Sequence, residues 1–498
     1  MSERAEGTEN GMKNAAVRAY LSRYVVPFYY EYGDYETLRD HFLELPEESY
    51  HSSKLAGKGK WIRAGFWENY RSGKDSLPEM DLYSYLPSVF TEAEGDSHTP
   101  NPGVSLVYKT DGKILNLEYV NTDKTMGFNL TELGILLFRN GTGFVWYETG
   151  FAQKEITITE YEAFQHEFKE LARVYKGGAE AESGKPPKKM MRRKTGKDSY
   201  ESFRMGEWLS KILFSGELRI RFWAERKTEM EGKAAVIPDK ALLFQYVFCD
   251  GPESVGDHDP AFRIANGYDD KYSIPEDIGK SMYRPFGNSC FYVSKAGMAC
   301  VATNTNTNEE FYKHQFAARF KRDYFFIFLL LSYQSFSCAH YAKLLAKLPA
   351  DLAVYREDTE QENKLESLNG EITLFLVKSV FGSVSNMHHQ NEVYRYGKTA
   401  LHIEEDLQSL TIGLSALEEL EKERRDRKVN TALAFFGFII VVSALIDGLN
   451  LFDFISGPGM GMWHWIVFAV ILLICGGFGV YLFRATRKKK DDKKRHVN

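Results

Sequence analysis

The chain has 498 residues and a formal net charge of −5 at pH 7. A balance so near neutral excludes a polyanionic partner held by bulk charge, and no nucleic acid is expected. Hydrophobic content is an ordinary 44%, so any apolar concentration must be local.

Met1 to Arg18 is polar and has no apolar signal-peptide core. Residues 105–110 and 113–120 flank Asp111-Gly112, and 133–139 and 144–149 flank Asn140-Gly141. Both dipeptides favour tight turns, so both pairs read as β-hairpins. Residues 160–174 read as an amphipathic helix, and 216–226 and 241–249 as strands. A further hairpin is predicted for 290–294 and 298–303 around Ala296-Gly297. This pattern gives a largely antiparallel sheet with helices at its ends, an α+β body.

Residues 176–200 form a basic, breaker-rich loop centred on Lys185 to Arg193. It reads as a solvated loop or as a patch for lipid headgroups or a nucleotide. Asp250, Glu253, Asp257, Asp259, Asp269 and Asp270 lack calcium-loop spacing and read as a solvated acidic loop. The glycines match no phosphate-loop, dinucleotide or nucleophile-elbow motif. No catalytic constellation is found, so an enzyme is not expected. Cys249, Cys290, Cys300, Cys338 and Cys475 form no CxxC pair and read as reduced thiols. The neighbours His388 and His389 would splay apart on a helix and read as surface or packing residues.

From Asn308 the chain turns helical. Residues 311–348 predict a core helix closed by Pro349, and 360–381 a second with a stripe at Leu365, Leu368, Ile372, Phe375 and Val380. Beyond Asn386 apolar residues recur at Ala400, Ile403, Leu407, Leu410, Leu414 and Leu417, spaced 3-4-3-4-3. That period packs a helix on copies of itself or on neighbouring helices. Gly397 and Gly413 are the only breakers before Lys428, so one stalk of about sixty residues and about 90 Å is expected.

Two apolar runs end the chain, Val429 to Ile446 and about Phe454 to Phe483, each long enough to cover about 30 Å of hydrocarbon. Basic residues at 422–428 and 484–495 flank them, and no Lys or Arg lies between. The expected architecture is therefore an α+β cytoplasmic domain, a long stalk helix and a C-terminal two-helix transmembrane hairpin. The expected parts are a cytoplasmic domain (1–305), a helical region (306–428), two membrane helices (429–484) and a basic tail (485–498). The expected site is the inner (plasma) membrane, multi-pass, in contact with the lipid bilayer and with both termini cytoplasmic.

The order of these parts, and Gly448 and Asn450 at the end of the first run, resemble the CorA family of two-helix divalent-cation transporters, which includes ZntB-type proteins. That family ends its first membrane helix with Gly-Met-Asn; here Leu449 replaces the methionine. The resemblance implies a homo-oligomeric (pentameric) membrane channel for Mg²⁺ or Zn²⁺ as transported ion, with no resident cofactor. Asp447, Gly448, Leu449, Asn450 and Asp453 would form its ion-entry motif. Stepping back along the helix gives a small-residue stripe, Asn430, Ala434, Gly437, Val441 and Ala444, which either lines a pore or packs helix on helix. Phe438 would be its apolar constriction. The enlarged body and the basic loop suggest an alternative, a membrane effector gated by a small molecule or nucleotide, as in CorA-like proteins that accompany type III CRISPR systems.

Overall fold

The computed structural model describes residues 15–44, 59–68, 80–92, 101–172, 189–194, 200–213, 220–251, 260–305, 308–352 and 359–448, short interruptions within these aside. They divide into one unit ending at Leu414 and a second beginning at Ser415.

The first unit is built on β1 (Val17–Tyr29), a strand that sequence reasoning missed. Its run of Tyr, Val and Phe residues is the signal that could have found it. Leu21 and Val25 point to one core, and Tyr24, Val26 and Phe28 to another. That alternation requires cover on both faces. β1 pairs antiparallel with β6 (Thr142–Phe151), β12 (Leu242–Cys249) and the short β9 (Arg221–Phe222).

On one side, β12 pairs parallel with β15 (Gly297–Thr303), followed by β14 (Ser289–Ser294) and β13 (Met282–Phe286). On the other, β6 pairs with β5 (Thr125–Phe138). β5 carries both β3 (Gly103–Thr110) and β4 (Leu115–Asn121). β2 (Gly59–Arg63) adds to β3, while β7 (Lys189–Lys194) and β8 (Tyr200–Ser202) extend β4. These make a 13-stranded mixed sheet, and β10 (Glu225–Met230) and β11 (Lys233–Pro238) form a separate hairpin.

Helices cover both faces. α1 (Tyr35–Glu44), α2 (Ile158–Phe168) and α3 (Met205–Leu213) pack on the Tyr24 face, with α4 (Pro260–Asn266) over the β12–β15 end. α2 starts at a capping box in which Thr157 and Glu160 satisfy each other's backbone N–H. The opposite face takes α5 (Phe325–Leu352), α6 (Thr359–Ser379), α7 (His388–Ala400) and the first turns of α8 (Ile403–Gly448).

This architecture corrects the expected fold class. The helices lie on both faces of a mixed sheet, not at its ends. Among the described residues no helix is long and apolar enough to cross a membrane. The run from Val429 to Ile446 is the C-terminal part of the 46-residue α8 and not a separate span, with Val429, Asn430, Leu433, Ala434, Phe436 and Gly437 exposed. The second run lies outside the described residues. The transmembrane hairpin, the membrane channel built on it and the multi-pass inner-membrane localisation with both termini cytoplasmic are corrected with it.

Smaller corrections follow. β3 and β4 do not form a hairpin, because both pair with the fourteen-residue β5; Asp111-Gly112 lies outside the described residues. Part of the basic loop forms β7 and β8 at the sheet end, and the rest lies outside the described residues. The expected single stalk is two helices, α7 and α8. Helix α5 continues past Pro349 to Leu352.

One ionic knot ties sheet to helices. Arg23 of β1, with no exposure, donates to Glu148 (2.9 Å), Glu132 (2.7 Å) and the Lys321 carbonyl (2.8 Å). Lys321 Nζ donates to the same two carboxylates, at 2.6 and 2.9 Å. The guanidinium lies over Phe325 and Trp146, 4.4 and 4.9 Å from their ring centroids. Arg23→Met leaves two carboxylates with one cation, so a loss of about 3–5 kcal/mol is expected in chemical denaturation; a loss below about 1 kcal/mol would show that the knot does not hold the sheet to its helices.

Burial raises the Glu132 pKa, but Arg23 and Lys321 outweigh it and hold the group below its ordinary value. A depressed folded pKa gives stability that is complete above the unfolded value, about 4.3, and is lost as pH falls through the folded one. The denaturation midpoint of the wild type should therefore drop steeply below about pH 4. Arg23→Met should flatten that limb, and urea titrations from pH 6 to 3 would read both.

Candidate functional site

The helical layer enters α5 through two π-helical turns, Phe311–Phe316 and Phe320–Tyr324, joined by the short turn Ala317–Arg319. π-turns cost hydrogen-bond quality and recur at functional positions. Here they bring a row of polar groups beneath the N-terminal half of α7. Arg319 Nη1 lies 3.2 Å from Asp81 Oδ2. Arg322 grips its neighbour Asp323 through Nε (2.5 Å) and Nη2 (3.2 Å), and both residues are buried. Burial pushes the Asp323 pKa up, and Arg322 only partly opposes it.

α7 is held over this row by short-range polar contacts. The Asn391 side-chain oxygen accepts from Ser383 Oγ (2.8 Å) and from the N–H groups of Val384 (2.9 Å) and Ser385 (3.1 Å). Ser385 Oγ donates to the Asp81 carbonyl at 2.7 Å. His388 is exposed, while His389 is half-buried with its ring 6.3 Å from that of Tyr324. Burial lowers the His389 pKa; Asp81 opposes the shift, and Arg319 and His388 add to it. Further along, Gln334 Nε2 donates to Tyr394 Oη (2.9 Å) and the Ser379 carbonyl (2.7 Å). A Cβ on Gly397 would lie 2.3 Å from Leu331 Cδ1. Gly397 therefore serves close packing of α7 on α5 rather than breaking a stalk.

Some groups in this seam stay unmatched, Ser379 Oγ among them. Tyr324 Oη and both amide atoms of Gln390 are buried without a hydrogen-bond partner, and the two residues are about 1% exposed. Buried polar side chains normally find partners, so orphans in one seam need a reason. A second buried polar cluster, on the other face of the sheet, is partly satisfied, with Tyr147 Oη still unmatched. Tyr161 Oη donates to Gln245 (2.6 Å) and lies 2.7 Å from Ser22 Oγ, while Tyr24 Oη donates to Gln165 (2.6 Å).

α7 ends with Leu401 N–H donating to the Gly397 carbonyl (3.0 Å). His402 follows in the left-handed region, φ 57°, the only non-glycine residue there among the described ones. α8 then begins, and Ile403, Leu410 and Leu414 are buried against the same core as α5.

The expected pore and entry residues fall elsewhere. Asn430, Ala434 and Gly437 are exposed on α8. Phe438, Val441, Ala444, Asp447 and Gly448 belong to its last turns, with side chains outside the described set. Leu449, Asn450 and Asp453 lie outside the described residues altogether. Among the described residues no group of three or more His, Cys, Asp or Glu could hold a metal ion. No family model matches the chain, and no curated protein or solved structure matches it either. The CorA resemblance thus rests on Gly448 and Asn450 and on an order of parts whose single stalk and membrane hairpin are corrected above.

A left-handed histidine carries strain that glycine avoids. His402→Gly should raise stability by about 0.5–1 kcal/mol despite the greater freedom of the unfolded chain. A melting temperature that falls instead would mean that the His402 side chain itself holds the α7–α8 junction.

Proposed function

We propose that the chain is a non-enzymatic, ligand-responsive body whose state is expressed at the α7–α8 junction. One observation carries this reading: the unpartnered Tyr324 hydroxyl and Gln390 amide, where the lead-in to α5 passes beneath α7. An unmatched buried group of this kind costs about 1–3 kcal/mol, which an apolar side chain of similar size would avoid. A small hydrogen-bonding molecule that enters the seam would satisfy these groups and favour the conformations that admit it. The seam lies at the root of α7, and only Leu401 and His402 separate α7 from α8. A change in how α7 seats is therefore delivered to the first turns of α8.

Replacing the orphans with apolar groups should mimic occupancy. Gln390→Met and Tyr324→Phe should each stabilise the body by about 1 kcal/mol and slow hydrogen exchange at residues 403–414 about fivefold. Stabilisation with unchanged exchange at 403–414 would confine the seam to a local role and defeat the proposal. No stabilisation in either variant would show that the two groups are not unmatched in solution, which also defeats it.

A further inference from the structure

A second frustrated polar cluster lies on the opposite side of the sheet, where α1 meets the ends of β2 and β5. Three guanidiniums converge on one carboxylate there. Arg39 Nη1 is 2.5 Å from Glu92 Oε1, Arg63 Nη1 is 3.2 Å from Oε2, and Arg139 Nη2 is 3.8 Å from Oε1. Arg39 and Arg139 also lie over the ring of Tyr35, 5.9 and 4.6 Å from its centroid. Four separate parts of the chain supply these groups: α1, the end of β2, the turn after β5, and the segment after the 3-10 turn Leu86–Val89.

The hydrogen bonding is incomplete in a consistent way. Glu92 Oε2, Arg139 Nε and Tyr35 Oη are all buried without a hydrogen-bond partner, and Tyr35 is 3% exposed. The contact of Arg63 with Oε2 is thus ionic without hydrogen-bond geometry. Burial raises the Tyr35 pKa, Glu92 adds to the rise, and the three arginines oppose it, so the hydroxyl stays protonated and can donate. The other anions are peripheral: Asp40 on Arg39 is 45% exposed, and Glu36 on Arg139 is 66% exposed. A carboxylate offers two oxygens in one plane. Three convergent guanidiniums and a phenol suit a tetrahedral anion with three or more oxygens.

We propose that Arg39, Arg63, Arg139 and Tyr35 form a binding site for a phosphoryl group, which the Glu92 carboxylate fills when no ligand is present. Glu92 acts as an internal competitor. Phosphate displaces it, takes the arginines, and accepts from Arg139 Nε and Tyr35 Oη. The site is separate from the α5–α7 seam, and it stands or falls independently of the function proposed for that seam.

The test is isothermal titration of the full chain with inorganic phosphate, and separately with adenosine 5′-monophosphate, at fixed ionic strength against a chloride control. Saturable phosphate binding is expected. Glu92→Gln should tighten it about tenfold by removing the competitor, and Arg63→Gln should weaken it about tenfold by removing one charge-assisted contact. Arg63 is half-exposed, so its loss should leave the fold intact. Monophosphate competing with phosphate supports recognition of the phosphoryl group on a larger molecule. Phosphate binding without the nucleotide supports the free anion as ligand. The absence of saturable phosphate binding in both the wild type and Glu92→Gln overturns the site. So does binding that Arg63→Gln leaves unchanged.

Discussion

The structure turns on a single buried guanidinium. Arg23 sits at the centre of the sheet's central strand, where water cannot screen it, so its charge must be answered by protein. Glu132 of β5, Glu148 of β6 and the Lys321 carbonyl of the π-helical lead-in answer it together. Three strands and the start of the helical layer are thereby fixed at one point. Lys321 closes the set, so two cations meet two anions with no net charge left inside. Apolar residues of equal volume are often as stabilising as such a knot. What the knot adds here is placement, because each guanidinium edge accepts only one geometry and a slipped strand would leave a buried charge unmet.

Beside that fixed point lies one of the places where buried polar groups go unmet. Lys321 is held to the sheet, and two residues later the lead-in must carry Asp323 and Tyr324 into the core beneath α7. The second π-turn, Phe320–Tyr324, lies on this stretch. Arg322 answers Asp323, but nothing among the described residues answers Tyr324 Oη. The frustrated seam under α7 thus lies next to the anchoring. The arginine cluster shows the same pattern at the other side of the sheet, with four parts of the chain brought together and more donors than the one carboxylate can satisfy.

Much of the local structure was legible in the sequence. Asn140-Gly141 makes the β5–β6 turn, with Gly141 at φ 81°, and Ala296-Gly297 joins β14 to β15. The strand expected at 241–249 is β12. Partnership was not legible. β12 pairs with β1, more than two hundred residues away, and β3 and β4 share β5 rather than each other. Alternation of side chains states which face a residue takes, not which strand lies beside it. The orphan groups were invisible for a similar reason: Gln390 reads as an unremarkable polar residue near a helix start, and only the packing of α7 on α5 takes it out of water.

The stripe at Ala400, Ile403, Leu407, Leu410 and Leu414 shows the limit most directly. A 3-4 spacing states that one side of a helix is buried, and it is silent about what buries it. Here the stripe packs on the body's own core, and a Cβ on Gly413 would already lie 3.0 Å from Leu345 Cδ1. A helix meant to run straight through as a rod needs no interruption. This one is interrupted at His402, in the left-handed conformation that few non-glycine residues adopt. The break lets α7 follow the seam and α8 follow the stripe, so the two helices answer to different contacts. Leu401 and His402 join the two helices along the chain, and Lys398 of α7 also donates to Glu404 of α8 at 2.9 Å across the break.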